Sequence, residues 1–210
     1  MAANLTTHIP IIPLQTVSGN TDFTISIPEK AGQTFLSGVP VQLSGGYVQI
    51  WDGATYNGGL LGVSAIPGSN LATNGAGAPG AFSQITGIGA IQSYGKVINQ
   101  PGAVNIAVGT PITDGRTLVN ASYSDTVFEA MVDNSTGAVA ADYTPTQANV
   151  GLAYGLTLDG NGYAYVDLGK NTSGTNTCVI IVGLSPVDGS IVNGRVRFIF
   201  QRSAQQVYSA

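Results

Sequence analysis

A single histidine and a single cysteine stand among 210 residues, and that scarcity bounds the chemistry open to the chain. A Ser-His-Asp or Cys-His nucleophile needs an imidazole held against a hydroxyl or thiol, and His8 lies in an N-terminal stretch that would have to deliver the base as a mobile arm. One imidazole and one thiolate do not close a tetrahedral metal site. Cys178 sits in the apolar run 177–182, where it reads as a small buried hydrophobe, and no disulfide can form within one chain.

Carboxylates are the remaining reactive class, and the eleven acidic residues leave paired-acid chemistry of the glycosidase kind formally open. Yet Asp52, Asp114, Asp125, Asp159 and Asp188 each adjoin Gly, Ser or Thr, the setting in which Asp bonds its own backbone in a turn. The segment Asp159-Gly160-Asn161-Gly162 reads as a hairpin turn, since it lacks the alternating oxygen ligands and closing Glu of a calcium loop. Residues 75–80, GAGAPG, match the letters of a dinucleotide fingerprint without the flanking strand and helix that would aim amides at phosphate. Tyr154, Tyr163, Tyr165 and Trp51 are candidate interface aromatics; Tyr163 and Tyr165 share a face by strand parity and would also suit a sugar-stacking strip. Four Asn-x-Ser/Thr sequons, at Asn4, Asn120, Asn134 and Asn171, carry no weight in so Asn- and Thr-rich a chain.

The elements that would position these residues are strands. Within residues 31–67, the runs 39–43 and 47–51 flank a Ser-Gly-Gly turn, and 60–66 follows Asn57-Gly58-Gly59, which predicts an antiparallel meander. Phe23, Ile25 and Ile27 alternate with polar residues up to Pro28, as in a half-buried edge strand. Residues 68–80 form a loop of Gly, Ala, Asn and Pro. Runs 104–108, 118–123 and 127–132 are further strands of one sheet system, and 152–158, 163–168, 177–184 and 195–201 complete a C-terminal hairpin and two more strands. Arg195, Arg197 and Arg202 form the densest basic cluster; Arg195 and Arg197 alternate with Val196, Phe198 and Phe200, giving a solvated face above a buried one. One short helix is predicted from Thr144 as N-cap, with Pro145 at its first position, Gln147 at the third and Gly151 as its stop.

The fold class is therefore mainly β: an antiparallel β-barrel or sandwich body with an extended N-terminal arm and at most one or two short helices. Four segments follow: an arm at 1–20, an N-terminal β-rich subdomain at 21–141, a C-terminal barrel-like subdomain at 142–202 and a tail at 203–210. The arm has no acidic, lysine or arginine side chain, and its prolines forbid a helix. Burying Leu5, Ile9, Ile11, Ile12 and Leu14 would yield roughly 1.5–3 kcal/mol each. Ordering about fifteen residues costs on the order of 1–2 kcal/mol apiece. Side-chain burial alone does not hold such an arm; main-chain pairing with a sheet edge would have to add to it.

Composition sets the class of partner. Charged residues make up 9% of the chain, against roughly a quarter in ordinary soluble domains. A net charge of −4 gives little protection against association, so the surface suits a protein packed against neighbours. The acidic balance and scattered cations argue against nucleic acid. No run approaches the roughly 18 apolar residues of a membrane span, and the start lacks the basic and apolar regions of a secretory signal, so synthesis in a cytosol is expected.

The phrases Gly38-Val-Pro-Val-Gln-Leu43, Gly45-Gly-Tyr-Val48, Trp51-Asp-Gly53 and Gly62-Val-Ser-Ala-Ile-Pro-Gly68 occur in an order that resembles the head decoration, or cement, proteins of tailed bacteriophages. So do Asn149-Val-Gly-Leu-Ala-Tyr-Gly-Leu-Thr157, Gly162-Tyr-Ala-Tyr-Val-Asp167, residues 179–188 and Gly194-Arg-Val-Arg-Phe198. With residues 99–111, the likeness touches about two thirds of the chain; 68–95 and 203–210 lie outside it. No phrase carries chemistry. The resemblance implies a β-rich, non-enzymatic body, commonly trimeric, that sits on the capsid exterior of the virion and grips the major capsid protein through an extended terminus. It implies no cofactor. Two readings from other classes stand beside it: a carbohydrate-binding or fibre-like host-surface module using the tyrosines, and a tail-tube or neck component that would assemble as a ring.

Overall fold

A computed structural model describes residues 9–16, 24–30, 33, 35–66, 68, 83–84, 91–93, 96–98, 116–122, 125–172 and 175–206. Leu5, His8, the 75–80 loop, the 104–108 run and residues 207–210 lie outside this set.

The chain is mainly β. Its strands are β1 (Ile12–Thr16), β2 (Thr24–Pro28), β3 (Pro40–Ser44), β4 (Tyr47–Ile50), β5 (Gly62–Ser64), β6 (Ser83–Gln84), β7 (Ile91–Ser93), β8 (Lys96–Ile98), β9 (Arg116–Ala121), β10 (Thr126–Asp133), β11 (Ala153–Leu158), β12 (Ala164–Asp167), β13 (Val179–Leu184) and β14 (Arg195–Phe200). One sheet runs β1-β10-β12-β11-β13-β14 and closes into a barrel because β10 also pairs with β14. A second runs β2-β9-β5-β3-β4, and β6-β7-β8 form a small third sheet.

Period-2 patterning explains how the barrel closes. On β14, Val196, Phe198 and Phe200 are buried while Arg195, Arg197 and Ile199 are not. Phe128 of β10 meets Phe198 and Phe200 with ring centroids 5.7 and 5.2 Å apart. This interior is continuous with the second sheet, since Ile11, Trp51, Leu60 and Val63 belong to the same core cluster. Phe35, Val41, Val48, Leu61 and Val119 form a separate cluster in the second sheet.

Three sequence expectations are corrected. The meander is not one: β5 pairs with β3, not β4. The reason lies in residues 51–61, where Trp51 enters the core and Gly58 and Leu60 donate their amides to the carbonyls of Ser203 and Ala204. The Asn57-Gly58-Gly59 turn thus serves the C-terminal segment, and β5 emerges on the far side of β3. The boundary near Asp142 does not separate the sheets, because β1 and β10 both belong to the barrel. The predicted helix shrinks to a 3-10 turn, Gln147–Asn149, capped by Thr146, with others at Ala140–Tyr143 and Arg202–Ala204. Asn149 Oδ1 accepts the Thr146 amide at 2.7 Å, and the Gly151 amide, at φ +88°, is already committed to Ile181 O at 2.7 Å, so the helix cannot continue.

The arm is extended as expected, but residues 9–16 lie on their own body. β1 pairs antiparallel with β10, Ile12 opposite Glu129 and Thr16 opposite Thr126. β2 then pairs with β9, Thr24 opposite Asn120. β1 and β2 therefore run together against β9 and β10, the consecutive strands that pass from one sheet to the other.

Candidate binding surface

Each residue singled out for chemistry has a structural occupation. Cys178 is fully buried, and burial pushes its thiol up to about 12, out of the nucleophilic range. Asp52 Oδ1 accepts the amides of Ala54 and Thr55 at 2.9 and 2.8 Å, and Oδ2 accepts the Thr55 hydroxyl at 2.6 Å. Burial raises its pKa, but these bonds outweigh it and hold the carboxyl below its ordinary value. Asp159 Oδ1 accepts the amides of Asn161 and Tyr163 at 2.8 and 2.9 Å and so builds the hairpin turn. Asp167, in register with Asp133 where β10 and β12 pair in parallel, accepts from the Ser135 and Gly169 amides and the Thr157 hydroxyl.

The aromatics do not form an outward strip. Trp51 is 1% exposed, donating its indole N–H to Thr55 O at 2.9 Å, and Tyr56 meets it edge-on. Tyr154 is 4% exposed, its hydroxyl accepting from Asn149 Nδ2 at 2.7 Å. Tyr165 is 2% exposed and Tyr163 partly buried. Three of the four therefore fill the interior, where a parity argument alone could not place them, and the sugar-stacking platform is withdrawn.

What the exterior offers is aliphatic, and it lies towards both ends of β10. Near the first end, β1 carries Ile12 and Leu14, each 38% exposed, while Ile11 points inward at 2%. Leu14 falls at an irregularity between Pro13 and Gln15, so it departs from strict alternation. Pro10 and Ile11 pack on Gly38, whose φ is +76°, and the Ile11 amide reaches Gly38 O at 3.3 Å. An open groove of about 360 Å³ runs beside this segment, lined in part by Pro10, Ile12, Gly38, Ser64 and Asn120. Ile11, expected to grip a partner, is instead a plug in the chain's own core.

At the other end lies the 185–194 loop. Gly189 N bonds Ser185 O at 3.0 Å, Gly194 N bonds Ile191 O at 2.9 Å, and Asn193 adopts φ 55°. Asn193 N reaches Tyr143 O at 2.8 Å and its Nδ2 reaches Val132 O at 2.9 Å, tying the loop to both the 140–143 turn and the end of β10. On this braced frame Val187 is 81% exposed, Ile191 59%, Val192 49% and, on the adjoining turn, Val139 59%. Nearby charges are committed. Arg195 Nε reaches Asp188 Oδ2 at 2.8 Å and its Nη1 reaches Glu129 Oε1 at 2.6 Å. Asp142 Oδ2 accepts the Ala138 and Val139 amides, which hold its carboxyl below the ordinary range. Sequence reasoning missed this loop: Val187, Ile191 and Val192 have no strand period, and their only signal was an apolar content unusual for a turn.

No protein-family model, curated protein or solved structure matches the chain.

Proposed function

We propose that this chain is a structural virion protein that binds the outside of a bacteriophage capsid and clamps adjacent capsomers, with the major capsid protein and further copies of itself as partners. The supporting observation is a charge-poor exterior bearing braced aliphatic surfaces at two separate places, near Ile12 and Leu14 and at the 185–194 loop. A clamp needs at least two footholds, and linking them raises avidity without any strong single contact. The phrases shared with phage head decoration proteins point the same way. The foothold on the shell is assigned to the outward side of β1, where an extended segment adds shape and main-chain groups in place of ionic anchors.

The test is co-sedimentation of the purified chain with heads stripped of their decoration. Deleting residues 1–14 would remove the Ile11 plug as well, so Ile12→Asp with Leu14→Asp is the sharper variant. The wild-type chain is expected to saturate the heads and the variant to bind at least tenfold more weakly. A wild-type chain that leaves the heads bare overturns the proposal.

A further inference from the structure

We propose that the surface formed by Val139, Val187, Ile191 and Val192 is where one copy of this chain meets another. This deepens the reading above, which needs copies joined to each other, but it concerns the protein alone.

Its size comes first. At their observed exposures the four side chains present on the order of 400 Å² of apolar surface, half of the roughly 800 Å² each partner buries in a standard interface. A contiguous patch of that order is near the largest a monomer ordinarily shows, and such patches are often functional. The Ser, Thr and Asn residues around it supply a polar rim.

Charge then selects the occupant. When a surface meets its own equivalent on a second copy, any bare charge on it finds a like charge nearby. Here Asp188 is neutralised by Arg195, and the Asp142 carboxylate is turned onto backbone amides. Copies can therefore approach without burying an uncompensated charge, and a net charge of −4 adds only weak long-range repulsion. A charged partner would find no counter-charge to fix its register. The loop is also braced before contact, by Gly189, Asn193 and Gly194, so little conformational entropy remains to be lost on association.

Native mass spectrometry and light scattering on the full chain at micromolar concentration test the assignment. The wild-type protein is expected to form a closed oligomer, and Val187→Asp with Ile191→Asp to run as a monomer with the Trp51 emission of the folded core. Val187→Ser with Ile191→Ser removes apolar area without adding charge; if the aspartates unfold the chain, this pair still reads the seam and is expected to weaken association at least tenfold. Ile12→Asp is expected to leave the oligomer intact. A monomeric wild-type chain, a serine pair that assembles like wild type, or an oligomer lost only on Ile12→Asp would each overturn the proposal. Head binding by a monomeric wild-type chain would overturn it while leaving the capsid reading standing; an oligomer that ignores heads would do the reverse.

Discussion

Arg195 and Glu129 meet across the β10–β14 pair at 2.6 Å, and the same guanidinium holds Asp188 at the root of the exposed loop. Glu129 lies opposite Arg197 in register, with Arg195 one diagonal step away. Its carboxylate side chain is 6% exposed, and Arg197 approaches only to 3.6 Å, too long for a hydrogen bond. One arginine thus keeps a nearly buried acid paired and anchors the surface beyond it. The sequence predicted a solvated arginine face; the structure places Arg195 in an ion-pair network, leaving Arg197 the more exposed of the two.

Replacing Arg195 by Met is expected to destabilise the fold by about 1.5–3 kcal/mol, the range for hydrogen bonds to charged groups, because Glu129 keeps its burial and loses its close partner. Adding Glu129→Gln should recover part of that loss, since no uncompensated charge then remains. Urea unfolding of the two single variants and the double variant measures the coupling. Equal, additive losses would mean that the pair contributes nothing of its own.

Gly38→Ala is expected to loosen the N-terminal segment. A Cβ there would fall on Pro10 and crowd the Ile11 amide, and φ +76° adds roughly 1–2 kcal/mol for a side chain in the left-handed region. Limited proteolysis should cut within residues 9–16 sooner than in the wild type. Unchanged cleavage would show that Gly38 does not secure β1.

Acid and alkali should act on different groups. Asp52 and Asp142 have carboxyls held below their ordinary values. A depressed folded pKa contributes stability above the unfolded value of about 3.9, and that contribution is lost as pH falls through the folded pKa. Tyr165 is shifted the other way, raised by burial first and by the charges of Asp167 and Asp133 next. Its contribution is complete below the unfolded value of about 10 and disappears as pH rises towards the folded pKa. Thermal melts should therefore fall below about pH 4 and again above about pH 10. Tyr165→Phe should flatten only the alkaline limb, and an alkaline limb unchanged in that variant would exclude Tyr165 as its source.

Much of the β architecture was legible locally. The Ser44-Gly45-Gly46 hairpin is present with both glycines at positive φ, +60° and +86°. The alternation in 195–201 correctly sent Phe198 and Phe200 inward. The aromatics were harder, because the same tyrosine pattern serves a core, a seam or a sugar platform. What placed Trp51 and Tyr154 inside is the second sheet closing over the barrel, a contact between segments roughly a hundred residues apart.

By itself the sequence determined which residues would be extended, where the chain would turn and which strand faces would be apolar, because those follow from a two-residue period and from the backbone freedom of glycine. Tertiary structure alone decided neighbours. That β5 lies beside β3, that β10 pairs in parallel with β12, that Ile11 plugs its own core while Ile12 faces out, and that Val187 stands in solvent all depend on which distant segments meet. Many strands here carry equivalent local signals, so only the simultaneous burial of Trp51, Phe128 and Phe198 in one closed interior selects a single pairing.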